Sequence, residues 1–360
     1  MTQKIGIVTG GGDCPGLNAV IRAVTKAANL RGWDAVGVFG GFEGLLNPER
    51  CKTLCTRDLD GLLTRGGTVL GTANRGRFSA KTGHGEIRAL PKDLLDDTQA
   101  GCAALGISAL VCIGGDGTLT IANQLHKHGI PVVGVPKTID NDVLGTETTF
   151  GFDSAVSCAT DALDRLHSTA ESHGRIMVLE VMGRYAGWIA AYAGLSGGAD
   201  VILIPEIPFQ YESICRKVKD RAARGRNFTM IVAAEGACPC GGELVTSTAQ
   251  EANREARLGG VGNMIAAELQ KLTGQEARCV VLGHLQRGGS PTAIDRALCT
   301  MFGTKAVELI ADGRTGRMVS FIGGRITSMP LQEAGGGIRT VPTDSGLVKT
   351  ARAIGVCFGD

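Results

Sequence analysis

Residues 4–16 read Lys4-Ile5-Gly6-Ile7-Val8-Thr9-Gly10-Gly11-Gly12-Asp13-Cys14-Pro15-Gly16, and Leu17, Val20, Ile21, Val24 and Ala28 follow at the spacing of an amphipathic helix. A strand, a glycine turn and a helix in that order open a β-α-β unit. The alternation continues through further strand candidates at Ala35–Phe39, Ala109–Ile113, Val132–Val135, Ile176–Val181, Val201–Ile204, Met230–Ala233 and Val280–Leu282. These runs are rich in Val and Ile with little polar alternation, as parallel strands buried on both faces are. Val156, Ala159, Leu163 and Leu166 mark a second helix after Asp153. The expected fold is α/β with doubly wound, mainly parallel sheets, whose ligands bind outside the carboxyl ends of the strands.

A chain of 360 residues exceeds the usual single domain, so two domains sharing a cleft are expected. Apolar residues at 43% supply a large core, and a net charge of +2 excludes the strong basic excess of a nucleic-acid binder. The longest apolar runs are strand-length, which argues against a membrane span. The 12 cysteines are scattered, and the pairs Cys51/Cys55 and Cys238/Cys240 have no second half to complete a zinc site. With a strand opening at Lys4 and no leader pattern, a reduced, cytoplasmic setting is expected. Cys238–Gly242 reads as a turn-rich loop, and patterning is weakest beyond Ala334.

The loops after the strands carry the chemistry. Gly10–Gly16 can bring backbone N–H groups to an anion at a helix N-terminus, with Asp13 as cap and Pro15 in the first turn. It reads equally as a tight turn for strand–helix packing, and it is neither a Walker A loop nor a G-x-G-x-x-G fingerprint. Gly114-Gly115-Asp116-Gly117-Thr118 sets one carboxylate among glycines, suited to Mg²⁺ on a nucleotide or to a capped turn. Pro136-Lys137-Thr138-Ile139-Asp140-Asn141-Asp142 places two carboxylates two apart. In an extended segment they face one way, one as a general base and the other near Mg²⁺. Met182-Gly183-Arg184 and His284-Leu285-Gln286-Arg287-Gly288-Gly289 put arginines and a histidine at two further strand ends, where Arg suits phosphate.

In order and spacing, Gly10–Gly16, Gly114–Thr118, Pro136–Asp142, Met182–Arg184 and Gly283–Gly289 resemble the signatures of the 6-phosphofructokinases, from Lys4 to about Gly324. The resemblance implies two Rossmann-like domains with the active site in the cleft between them. Residues 1–151 with about 287–335 would bind MgATP, and 152–286 with about 336–360 the sugar phosphate. It implies transfer to the 1-hydroxyl of fructose 6-phosphate, giving fructose 1,6-bisphosphate and ADP in glycolysis. Asp140 would be the base. Thr138, Arg184 and the Gly12 N–H would contact the transferring phosphoryl, and Asp116 would hold Mg²⁺ with Asp142 nearby. Met182, Gly183, Glu235, His284 and Arg287 match sugar-phosphate contacts. Arg175 and Arg278 match arginines reaching in from a neighbouring subunit, which implies shared sites and a homotetramer. Gly12, Phe42, Arg75, Gly115, Asp116, Gly117 and Thr118 match the nucleotide side, with a one-residue register question at Asn74.

The family divides into ATP and pyrophosphate users. Gly117 leaves room for a nucleotide α-phosphate where pyrophosphate enzymes typically carry Asp. Lys137 points the other way, but a flexible Lys can swing aside, so ATP is the expected donor and pyrophosphate the alternative. Arg22 and Lys26 lie one turn apart on the first helix and match basic effector positions of allosteric relatives. Asp200, Arg224 and Arg226 are further effector candidates, and an ordinary basic helix face explains Arg22 and Lys26 as well. An NAD or lipid kinase accounts only for Gly114–Thr118. A non-catalytic sensing subunit would be expected to lack Asp140, Asp116 or Arg184, and all three are present.

Overall fold

The computed structural model describes residues 2–73, 76–82, 86–246 and 258–360. In chain order the elements begin with β1 (Lys4–Thr9), α1 (Leu17–Asn29), β2 (Asp34–Val38), β3 (Cys51–Thr53) and the short pair β4 (Lys81–Thr82) and β5 (Glu86–Ile87). Next come α2 (Lys92–Leu105), β6 (Ile107–Gly114), α3 (Asp116–Lys127), β7 (Val132–Pro136), α4 (Phe152–His173) and β8 (Ile176–Val181). Then follow α5 (Trp188–Ser196), β9 (Val201–Leu203), α6 (Tyr211–Ala223), β10 (Thr229–Ala234), α7 (Val261–Thr273) and β11 (Ala277–Val281). The chain closes with α8 (Ala293–Ala311), β12 (Arg317–Ile322), β13 (Arg325–Pro330), α9 (Leu331–Ala334) and α10 (Gly346–Ala353).

The chain forms two compact units. The first comprises Met1–Thr138, Val143–Ser154 and Arg287–Ile338; the second comprises Ile139–Asp142, Ala155–Gln286 and Arg339–Asp360. The first is built on a sheet in the order β13-β12-β7-β6-β1-β2-β3, parallel from β12 to β2 and antiparallel at both edges. From β1 the chain steps to β2 on one side and later to β6 on the other. The strand order therefore reverses between β1 and β6, the place where such sheets bind ligands. The second unit carries the all-parallel sheet β11-β8-β10-β9. Each unit has its own core, with Val8, Leu110, Leu119 and Val132 in the first and Val178, Leu203, Ile231 and Ile265 in the second.

The doubly wound expectation is met, and the differences have local causes. Leu17, Val20, Ile21, Val24 and Ala28 are all buried. Along α4 the buried row is Ala155, Ala159, Leu163 and Ala170 rather than one that includes Val156 and Leu166. The strand expected at Val280–Leu282 begins earlier, at Ala277, and is an edge strand with Val280 and Val281 exposed. The β12–β13 hairpin, which is not among the expected strands, turns on Gly323 and Gly324 with φ of 56° and 76°, which a Gly-Gly pair between two runs can signal. The weakly patterned tail is ordered: Cys357 pairs in parallel with Val201, covering the edge of β9.

Some helix starts in this fold are held by carboxylates from elsewhere in the chain, while α8 and α10 are capped locally by Thr292 and Ser345. Asp295, in the first turn of α8, accepts from Gly151 N (3.0 Å), Ser154 N (2.9 Å) and Ser154 Oγ (2.6 Å) at the start of α4. Burial pushes its carboxyl up to about 6, against the opposing pull of the Ser154 hydrogen bonds. A carboxyl raised in the folded state contributes most stability at the acid side and loses it as pH rises to about 6. Asp295→Ala should cost about 1–3 kcal/mol by stranding these donors. In thermal melts, wild type should gain on Asp295→Asn as pH falls from 7 to 5; an equal gap at both pH values would contradict the assignment.

Candidate active site

In the first unit the β1 and β6 loops pack on one side chain. A Cβ on Gly10 would lie 2.6 Å from Thr118 Oγ1, so glycine there lets the buried first turn of α3 seat against the β1 turn. Thr72 Oγ1 donates to the Gly11 carbonyl at 2.5 Å and braces the loop from outside. Asp13 does not cap α1, and Pro15 lies ahead of the helix: the helix starts at Leu17 behind Gly16, whose φ of 110° suits glycine and which brings no side-chain cap. The Cys14 thiol is buried and pushed up to about 12, so it is no nucleophile.

Two cations converge on Gly12. The Lys137 ammonium donates to the Gly12 carbonyl, and Arg287 crowds the same glycine while Nη1 donates to the Asp13 carbonyl at 3.4 Å. Lys137 is 4% exposed, so it is docked on the loop rather than free to swing. Arg287, expected among the sugar-phosphate contacts, belongs to the unit that holds the glycine loops. A Cβ on Gly117 would meet nothing within 4 Å, whereas one on Gly115 would lie 3.3 Å from the Lys137 carbonyl. Phe42 is buried and stacks on Phe78 at 5.5 Å. Arg75 lies outside the described residues.

Asp116 is half-buried at the first position of α3. Mg²⁺ prefers oxygen ligands and is commonly held by one or two carboxylates together with substrate phosphates, so this position beside the open Gly117 fits a nucleotide-borne ion. Among the described residues no group of three or more His, Cys, Asp or Glu gathers as an all-protein metal cage.

In the second unit, Asp140 is 5% exposed and is followed by Asn141 with φ 55°. That left-handed residue breaks the extended geometry on which the shared facing of Asp140 and Asp142 was predicted. Arg184 is also left-handed, at φ 51°, after Gly183 at φ 139°. For a long side chain such as Arg184 this costs about 1–2 kcal/mol and persists only where the surroundings over-determine it, whereas Asn enters the region more readily. The Arg184 N–H donates to Glu235 Oε1 at 3.1 Å. Burial, then the Asp140 carboxylate, pushes Glu235 up to about 7. Met182, Gly183 and Arg184 follow β8, Glu235 follows β10, and the exposed His284 follows β11, at the carboxyl ends of neighbouring strands. Thr138 is buried, and its carbonyl accepts from Thr149 Oγ1 at 2.7 Å in the first unit.

Arg175 and Arg278 meet on one residue that the sequence reading missed. Glu276 binds Arg175 Nε at 2.6 Å and Arg278 Nη2 at 2.5 Å. The alternation Glu276-Ala277-Arg278 at the start of β11 was the available signal, since residues two apart on a strand share a face. Of the effector candidates, Arg22 and Lys26 lie on α1 in the first unit, while Asp200, Arg224 and Arg226 lie in the second. Asp200 is engaged internally: it pairs with Arg221 and accepts from Met230 N at 2.9 Å, and Arg221 lies over the Phe228 ring.

Two α/β units with glycine loops at a sheet reversal and strained acid and arginine turns define a phosphoryl-transfer protein. A family model described as Phosphofructokinase matches residues 4–310. The chain is 52% identical over 358 residues to the ATP-dependent 6-phosphofructokinase of Chloroflexus aggregans, covering 99% of this chain and 98% of that protein. It is 49% identical over 344 residues to the pyrophosphate–fructose 6-phosphate 1-phosphotransferase of Amycolatopsis methanolica, covering 95% and 97%. A crystal structure of Pichia pastoris phosphofructokinase in the T-state matches with a TM-score of 0.81 and 31% identity, over 93% of this chain and 35% of the yeast chain, so this chain spans about a third of that one. The chain belongs to the phosphofructokinase family.

If Glu235 is the sugar contact that the resemblance implies, its ionised form is the better acceptor for a sugar hydroxyl while it holds Arg184 N. The KM for the sugar phosphate should therefore rise as pH falls below about 7. Glu235→Gln should flatten that dependence; an unchanged pH profile in the variant would assign the titration elsewhere.

Proposed function

We propose that this chain transfers the γ-phosphoryl of MgATP to the 1-hydroxyl of fructose 6-phosphate, giving fructose 1,6-bisphosphate and ADP, a step of glycolysis. The observation that carries this reading is the end-to-end likeness, 52% over 358 residues, to a protein named as an ATP-dependent 6-phosphofructokinase.

Asp140 takes the proton from the 1-hydroxyl as its oxygen bonds to the γ-phosphorus. The bond from that phosphorus to the bridging oxygen breaks, and ADP leaves. Proton removal by a placed carboxylate contributes typically about 10²–10⁴-fold. Thr138, Arg184 and the Gly12 N–H hold the transferring group, and the docked Lys137 and Arg287 add positive charge at Gly12. Gly115, Asp116, Gly117 and Thr118 receive the donor. Mg²⁺ bound with the nucleotide would be held by Asp116 and would neutralise phosphate charge. Met182, Gly183, Glu235 and His284 bind the sugar, with Arg287 as a further phosphate contact. Arg175 and Arg278 serve a neighbouring copy in a homotetramer, and the enzyme works in the cytoplasm. Among the described residues no helix is long and apolar enough to cross a membrane.

Asp140→Ala should fold normally and lose several orders of magnitude in kcat; a near-normal kcat would remove the base assignment.

Pyrophosphate is the second reading, favoured by Lys137 and by the 49% likeness to a pyrophosphate enzyme. Gly117 decides for ATP, because the space its missing side chain leaves is open. Gly117→Asp should leave folding intact and lower kcat/KM for ATP at least about tenfold by placing a carboxylate near phosphate. Equal ATP kinetics in the variant, or wild-type turnover with pyrophosphate alone, would reverse the donor assignment.

A further inference from the structure

The segment entering the second unit at Arg339 reaches the backbone directly after Asp140. Arg339 Nη2 donates to the Asn141 carbonyl at 2.8 Å, and Arg339 N donates to the Asp142 carbonyl at 2.8 Å. One residue therefore supplies hydrogen bonds to both carbonyls that follow Asp140, across the left-handed Asn141. Arg339 is itself held on both sides. Its guanidinium lies 4.1 Å from the centre of the Trp188 ring, and Trp188 Nε1 donates back to the Arg339 carbonyl at 2.8 Å. Two residues on, Val341 N donates to Glu206 Oε1 at 2.7 Å, and the same carboxylate accepts from Gly187 N at 3.0 Å.

We propose that Arg339 is a positioning residue for Asp140. It acts from the C-terminal segment through the carbonyls of Asn141 and Asp142, and it serves kcat rather than substrate affinity. The proposal rests on the reading of Asp140 as the base. A base must sit within hydrogen-bond reach of its proton, and displacement by about 1 Å can cost about a hundredfold. The course of the chain after Asp140 is kept by the contacts its backbone makes, and Arg339 supplies two of them. Arginine suits the task because its planar group can stack on an indole while donating at its edge, which an ammonium on a flexible stem does not reproduce.

The test is steady-state kinetics with thermal melts of Arg339→Met, Arg339→Lys and Trp188→Phe, each also made in an Asp140→Asn background. Arg339→Met should lose about a hundredfold in kcat while both KM values stay within about threefold. Arg339→Lys should resemble it, and added methylguanidinium should restore part of the kcat of Arg339→Met. In Asp140→Asn the Arg339→Met change should cost nothing further, because the group it positions is gone. Unchanged kcat in folded Arg339→Met, loss confined to KM, or a full additional loss in the Asp140→Asn background would each overturn the proposal. If Arg339→Met does not fold, Trp188→Phe carries the test: a lowered kcat at constant KM supports it and an unchanged kcat overturns it. Near-normal kcat in Asp140→Asn alone would instead remove the base reading, and the positioning role with it.

Discussion

Glu206 is a half-buried carboxylate whose oxygens take two backbone N–H groups far apart in sequence, Gly187 at the start of α5 and Val341 in the C-terminal segment. Burial pushes its carboxyl upward, and those hydrogen bonds offset part of that shift. Gly187 follows the turn that carries Arg184, and Val341 follows the residue that holds the turn after Asp140. Both left-handed turns of the second unit are thus tied to one acceptor. Arg184 holds a conformation that sterics oppose, while Asn141 is of a type that adopts it more readily.

The same device recurs. Glu180, buried on β8, accepts from Gly260 N and Gly262 N at the start of α7, and Asp295 does the same for α4. In each case an acid from another element replaces the local Ser, Thr or Asp cap that a helix start ordinarily uses. The α1 and α3 starts differ: Gly16 and Gly115 stand at their caps with no side-chain acceptor. The starts of α4, α5 and α7 are held by carboxylates from elsewhere in the chain, those of α8 and α10 by the local caps Thr292 and Ser345, and the two at the sheet reversal present their first turns beside glycine. That division follows from electrostatics, because a helix N-terminus already neutralised by a protein anion has less to offer a phosphate.

The doubly wound fold was legible because parallel strands buried on both faces leave unbroken runs of Val and Ile, as at Ile176–Val181. The β12–β13 hairpin was not, because its strands at an edge mix Arg317, Ser320, Thr327 and Ser328 with apolar residues. Candidate site residues stood out where chemistry clusters in sequence, as in Thr138–Asp142. Residues that work through long-range contacts left no such trace. Arg339 lies 198 positions from Asn141, and Glu276 lies 101 from Arg175, so only folding shows that they meet. The extended geometry assumed for Asp140 and Asp142 failed for a related reason. Asn is one of the few non-glycine residues that enter the left-handed region readily, and Asn141 does so here with its carbonyl held by Arg339.

Lys137 shows how a residue can be read correctly for charge and wrongly for freedom. Sequence treats it as a mobile side chain able to move aside for a larger donor. In the folded protein it is buried, and its ammonium is spent on the Gly12 carbonyl. A docked ammonium still contributes field at the loop, but it has no need to move to make room. The proposed discrimination between donors then rests on Gly117, where a side chain would enter open space. An added carboxylate there would meet phosphate charge without disturbing the fold. On the proposed reading the donor is set by what Gly117 leaves empty, and Lys137 supplies attraction that both donors can use.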